Sequence, residues 1–147
     1  MIAIASDHGG YTHKEAIKKF LEQKGYEYKD FGTDSDKSCD YADFAKAVAL
    51  SVKSGECEKG ILVCGTGIGM SLAANKVKGI RAALCSDYFS AKYTRLHNDS
   101  NIICLGQRVV GEGLALELVD VFLSTGFEGG RHADRIAKIA EIEQENL

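Results

Sequence analysis

With 147 residues, 45% of them hydrophobic, and a formal net charge of −3, the chain is sized for a single domain over 1–147 and lacks the basic excess of most nucleic-acid binders. Its five cysteines are odd in number and include no C-x-x-C pair, which argues against both a disulfide framework and a zinc site. No apolar run approaches the ~18 residues of a membrane span and no basic leader precedes the first strand, so a soluble cytoplasmic protein with no membrane partner is expected.

Residues 2–6 read as a first strand, and Asp7-His8-Gly9-Gly10 leaves its C-terminal end, where α/β sheets place ligands. Asp7 and His8 are therefore site candidates, although Asp and Gly also make ordinary turns and caps. Residues 14–24 carry Ile17, Phe20 and Leu21 at helical spacing and end at Gly25. A brief second strand holds Tyr26, Tyr28 and Phe31, followed by a polar loop over 32–40. Tyr41, Phe44, Ala45, Val48 and Val52 then mark the apolar face of a second helix, closed by Gly55.

The stretch 60–76, GILVCGTGIGMSLAANK, is the chemical centre of the chain. Residues 61–64 are short and continuously apolar, as in a parallel strand buried on both faces. Gly65, Gly67 and Gly69 break that strand, and their backbone N–H groups, Ile68 between them, can approach a ligand ahead of a helix expected to run to about Val77. The spacing G-x-G-x-G is neither the dinucleotide fingerprint nor the nucleoside-triphosphate loop. Cys64 precedes the loop, and a nearby helix N-terminus favours the thiolate form of a cysteine. A plain buried strand-end cysteine has the same local sequence. A thiolate phosphatase is excluded because the arginine it needs six positions on is Met70 here.

A fourth strand is expected over 80–85, a helix over 88–96 leading into Leu96-His97-Asn98-Asp99, and a fifth strand over 101–105 followed by Gly106-Gln107-Arg108. His97 stands at a helix C-terminus, where a positive charge is welcome in any case. Residues 114–123 form a strongly apolar helix, suited to the core or to a partner. Gly129-Gly130 opens a last helix to Leu147 with Arg131 and Arg135 on one face, a pair suited to a phosphate or, more plainly, to surface acids such as Asp134. The alternation implies a Rossmann-like three-layer α/β sandwich with a five-stranded parallel sheet and a C-terminal helix. All candidates except the arginine pair are expected on the C-terminal rim of that sheet, and the last helix follows a strand expected at the edge.

The motifs SDHGG at 6–10, DYADFA at 40–45, ILVCGTGIGMSLAANK at 61–76, GIRAALC at 79–85, RLHNDSN at 95–101, LGQRVVG at 105–111 and GGRHADRI at 129–136 together resemble the type B ribose-5-phosphate isomerases, within the group that includes galactose-6-phosphate isomerases. The resemblance covers essentially the whole chain. It implies a general-base cysteine at Cys64, a ring-opening histidine at His97 and an anion-stabilising loop at 65–69. It also implies sugar contacts at Asp7 and Asn98, and phosphate contacts at His8, Arg108, Arg131 and Arg135. One subgroup uses a glutamate beyond the loop as base, but residues 72–75 offer none, and the common DYP is Asp40-Tyr41-Ala42 here.

The expected reaction interconverts an aldose and a ketose through a cis-enediolate, with Thr66 positioning the Cys64 thiolate and Asp7 assisting His97. A small sugar phosphate is the expected partner, and neither metal nor organic cofactor is required. The alternatives are an isomerase of a six-carbon aldose phosphate, such as allose 6-phosphate or galactose 6-phosphate, and a non-catalytic sugar-phosphate sensor. The resemblance further implies a homodimer, or a dimer of dimers, with active sites shared between chains.

Overall fold

Short strands with apolar residues at every position sort their side chains by alternation, and that sorting sets the layers. Ile2, Ile4, Ile61, Val63, Ile103 and Leu105 enter one core cluster, while Ala3, Ala5, Leu62, Cys64 and Cys104 enter a second on the opposite face. The computed structural model describes residues 1–146; the expected end of the last helix at Leu147 lies outside them. The strands are β1 (Ile2–Ser6), β2 (Tyr28–Asp30), β3 (Lys59–Cys64), β4 (Ala82–Leu84) and β5 (Ile102–Gly106). Interleaved with them are α1 (Tyr11–Gln23), α2 (Tyr41–Lys53), α3 (Ile68–Ala74), α4 (Tyr88–Asn98), α5 (Glu112–Ser124) and α6 (Arg131–Glu145).

The sheet is parallel throughout, in the order β2-β1-β3-β5-β4, with Ala5 opposite Leu62 and Cys64 opposite Gly106. Helices α1, α4 and α5 pack on the first face and α2 and α3 on the second. From β1 the chain moves outward over the first face, whereas from β3 it moves the other way over the second, as same-handed crossovers demand. The loops leaving β1 and β3 therefore diverge, opening the crevice in which α/β sheets bind ligands. The expected three-layer fold is the observed one.

Several expectations are corrected. The strand at the far edge is β4, so β5, adjacent to β3, is internal rather than at the edge. Helix α1 begins at Tyr11, before residue 14, because its first turn buries polar residues: Lys14 is fully enclosed, paired to Asp30 and donating to the Thr33 carbonyl. Helix α3 spans seven residues and ends at Ala74, short of Val77. Of the two uses left open for the apolar stripe of α5, core or partner surface, it serves the core, with Leu118, Val119 and Phe122 completely buried. Uncovered apolar surface lies elsewhere, at Leu72 (61% exposed) and Phe89 (67%), and on α6 at Ile139 (46%) and Ile142 (60%). No helix among the described residues is long and apolar enough to cross a membrane.

Candidate active site

At the divergence of β1 and β3 lies an open cleft of about 400 Å³, bordered by Asp7, Tyr41, Cys64, Thr66, Gly69 and Arg108. Cys64 is nearly buried at the last position of β3, and its Sγ accepts the Gly67 N–H at 3.1 Å. That geometry depends on Gly67, whose φ of 81° is left-handed and whose Cα has no room for a side chain: a Cβ would stand 2.5 Å from Leu84 Cδ1 and 2.9 Å from the Leu105 carbonyl carbon. The loop is clasped to β5, with Gln107 N–H donating to the Cys64 carbonyl at 2.9 Å and Arg108 N–H to the Gly65 carbonyl at 3.0 Å.

Thr66 shapes this loop: its Oγ1 accepts the Ile68 N–H at 3.3 Å, one residue after Gly67, whose N–H meets the Cys64 sulfur. The first intrahelical bond of α3 runs from Ser71 N–H to the Gly67 carbonyl, so Gly69 and Met70 N–H have no acceptor within the helix. Gly69 lines the cleft and can present its N–H to an oxyanion there, whereas Met70 is fully buried and does not border it. With only two turns behind it, that oriented amide matters more than a helix dipole.

Asp7 combines two roles kept open above. Its Oδ1 accepts the Gly9 N–H at 2.8 Å, capping a single 3-10 turn at His8–Gly10, and the residue also borders the cleft beside Cys64. His8 Nδ1 accepts the Cys39 N–H at 3.2 Å, which assigns the proton of the neutral ring to Nε2 and leaves that nitrogen as a donor. The loop supplying Cys39 is anchored upstream by the buried Lys14 at Asp30 and Thr33.

The remaining candidates lie at the other end of the molecule. In a parallel sheet, a helix joining two strands must return the chain to their N-terminal edge, and α4 does so between β4 and β5. His97 and Asn98 are its last two residues, so they do not share the rim occupied by Cys64, contrary to the expectation. Arg131 and Arg135 join them at the start of α6, both exposed and, among the described residues, in no ion pair, Asp134 included. The site residues thus fall into two groups: Asp7, His8, Cys64, the 65–69 loop and Arg108 at one edge, and His97, Asn98, Arg131 and Arg135 at the opposite edge.

Three further residues belong to these groups. Tyr41 was read above only as part of a helix face, yet its ring packs against Gly69, where a Cβ would stand 2.5 Å from it. At the second group, His132 stacks on His97 with ring centroids 4.0 Å apart, and Glu128 faces both rings. The His132 imidazole is held below its ordinary range, first by desolvation and then by the charges of His97, Arg131 and Arg135. The potential ligand atoms of His97, Glu128 and His132 lie within 4.8 Å of one another. Stacked imidazoles, however, project their in-plane lone pairs side by side instead of converging them on one cation.

Three comparisons bear on this arrangement. The family model described as Ribose/Galactose Isomerase matches residues 2–139. A putative sugar phosphate isomerase of Bacillus subtilis is 55% identical over 99% of both chains, and ribose-5-phosphate isomerase B of Escherichia coli is 48% identical over 97% of this chain and 96% of that one. Among solved structures, ribose-5-phosphate isomerase B of Clostridium thermocellum superposes with a TM-score of 0.98 at 56% identity, covering 99% of each chain.

Proposed function

Since the chain belongs to the ribose/galactose isomerase family, we propose that it interconverts ribose 5-phosphate and ribulose 5-phosphate through a cis-enediolate, with Cys64 as general base. The observation that carries this reading is the Cys64 sulfur in the cleft, accepting the Gly67 N–H beside the Gly69 amide. The names of the relatives favour the five-carbon substrate over allose 6-phosphate or galactose 6-phosphate.

In the forward direction the furanose opens first. The ring oxygen gains a proton as its bond to C1 breaks, and the anomeric hydroxyl loses one as the aldehyde forms; His97 carries that exchange. The Cys64 thiolate then removes the C2 proton, and negative charge develops on the adjoining oxygens, where the loop amides donate. The same thiol returns the proton to C1 while the hydroxyl proton passes from O2 to O1, giving the ketose. These proton transfers call for neither a metal nor an organic cofactor. His8 and Arg108, together with Arg131 and Arg135, hold the phosphate, and this remote binding energy aligns the reacting carbons. Asp7 and Asn98 contact the sugar hydroxyls.

The separation of the two residue groups supports a two-fold dimer in which Cys64 of one copy works with His97, Asn98, Arg131 and Arg135 of a second. The uncovered apolar residues Leu72, Phe89, Ile139 and Ile142 give such a contact its surface, and a pairing of dimers remains compatible with it. The test is proton exchange in heavy water with ribose 5-phosphate, allose 6-phosphate and galactose 6-phosphate, followed by NMR. Exchange at C2 with product formation from the pentose phosphate is expected. Binding without exchange would instead identify a sensor, and faster turnover of a hexose phosphate would move the substrate to six carbons.

A further inference from the structure

Glu128 bridges two imidazoles. Its Oε1 lies 3.6 Å from His97 Nε2 and its Oε2 3.8 Å from His132 Nε2. The Glu128 main chain is tied to α4, its N–H donating to the Leu96 carbonyl at 3.0 Å. His97 packs against two rings: His132 stacks on it at 4.0 Å and 10°, and Tyr93 makes an edge contact at 5.0 Å and 79°. The Glu128 carboxylate adds a charged contact at the Nε2 edge of the ring.

Electrostatics points the same way. Two imidazolium rings stacked at 4.0 Å would repel each other, and Arg131 and Arg135 add positive charge beside His132. Apart from Glu128 itself, these surroundings disfavour a positive charge on His132, which leaves Glu128 as counter-charge chiefly for the ring at position 97. That ring acquires a proton in mid-reaction, when it has accepted one from the anomeric hydroxyl and not yet given one to the ring oxygen. At 3.6 and 3.8 Å the contacts are ion-pair distances, longer than a hydrogen bond.

We propose that Glu128 is a positioning residue for sugar ring opening, orienting His97 and carrying its counter-charge while His132 serves as the neutral ring beneath it. The proposal rests on the reading of His97 given above, so its test must separate the two.

Ribulose 5-phosphate provides that separation, because its phosphorylated C5 oxygen cannot close a furanose and its C1 proton is removable without ring opening. Glu128→Gln, Glu128→Asp and His97→Ala are assayed for turnover of ribose 5-phosphate and for C1 exchange of ribulose 5-phosphate in heavy water. A positioned acid–base group contributes about 100- to 10,000-fold, and loss of its orienting partner is expected to forfeit about 10- to 100-fold of that. Glu128→Gln should thus lower kcat from ribose 5-phosphate by that factor with KM little changed, while C1 exchange stays within about twofold of wild type. Glu128→Asp should recover part of the loss. The kcat–pH profile should shift with it, the charged and titratable groups around the pair being Glu128, His132, Arg131, Arg135 and Tyr93. Equal losses in both assays, or wild-type turnover in Glu128→Gln, would overturn the proposal. If His97→Ala itself retained turnover, the assignment of ring opening to His97 would fall and the role of Glu128 with it.

Discussion

Mixing two inactive variants tests the shared site most directly. Helix α4 has 11 residues and is therefore about 16 Å long, so His97 in its last turn lies roughly a helix length from the edge at which Cys64 sits. A side chain spans only part of that distance. Cys64→Ala and His97→Ala subunits should each be inactive as homodimers. In a mixed dimer one site carries both lesions and the other is intact. Random reassortment of equal amounts makes about half the dimers mixed, each with one working site of two, so about one quarter of wild-type activity should reappear. Native mass spectrometry establishes the extent of exchange, and the rate with ribose 5-phosphate is read on the same sample. Verified mixed dimers that stay inactive would place both residues of a site in one chain, and an active monomer would refute the sharing altogether.

Other variants probe separate parts of the reading. Cys64→Ala should keep sugar-phosphate binding by calorimetry but lose C2 exchange by at least about 100-fold; Cys85 and Cys104, whose thiols burial pushes up (Cys85 to about 11), should accept small replacements with exchange largely kept. Arg131→Lys should raise KM for ribose 5-phosphate and recover only part of the loss seen in Arg131→Ala, because an ammonium lacks the planar fork; unchanged KM in both would remove Arg131 from the phosphate site. Asp30→Asn would leave the fully enclosed Lys14 with only the longer Glu15 contact at 3.7 Å as counter-charge and should cost about 3 kcal/mol in urea unfolding at pH 7. Burial raises the Asp30 carboxyl, but hydrogen bonds from Lys14, Lys18 and the Gly32 N–H outweigh it and hold the group below its ordinary range. Its contribution is therefore complete above the unfolded value of about 3.9 and lost as pH falls through the folded value, so the wild-type advantage should be flat from about pH 5 to 7 and shrink below about 4. An advantage that persisted unchanged into strong acid would show that the pair is not its source.

What could be read from the chain was local. The run Ile61 to Cys64 and the glycines at 65, 67 and 69 identify a buried strand and a close-approach loop because both properties belong to neighbouring residues. Strand order does not. That β5 lies beside β3 while β4 takes the edge depends on pairing between distant segments, and the apolar strands 80–85 and 101–105 look equally suited to either place. The first turn of α1 was hidden for a related reason: Lys14 reads as a solvated residue until Asp30, brought in by β2, accounts for its burial. Glu128 gave no signal at all, since its partners come from α4 and α6 and it lies in a short connecting segment between Phe127 and Gly129.

The rim assigned to His97 is a different case, because the chain did contain the answer. A helix that leaves the C-terminal end of one parallel strand and leads into the next must finish at the N-terminal edge, so a residue in the last turn of α4 cannot stand beside the loop after β3. The same rule places the start of α6 near His97, since α5 likewise descends from β5 before the chain turns into Arg131. A parallel sheet has one C-terminal edge for its amide loops and one N-terminal edge for its helix ends. Chemistry that needs Cys64 beside His97 must therefore either cross the sheet, which a packed core forbids, or bring the two edges together from different molecules. Under the proposed isomerase reading, assembly is then a requirement of the active site itself, and the uncovered Leu72 and Phe89 together with the apolar side of α6 are where that requirement meets the surface.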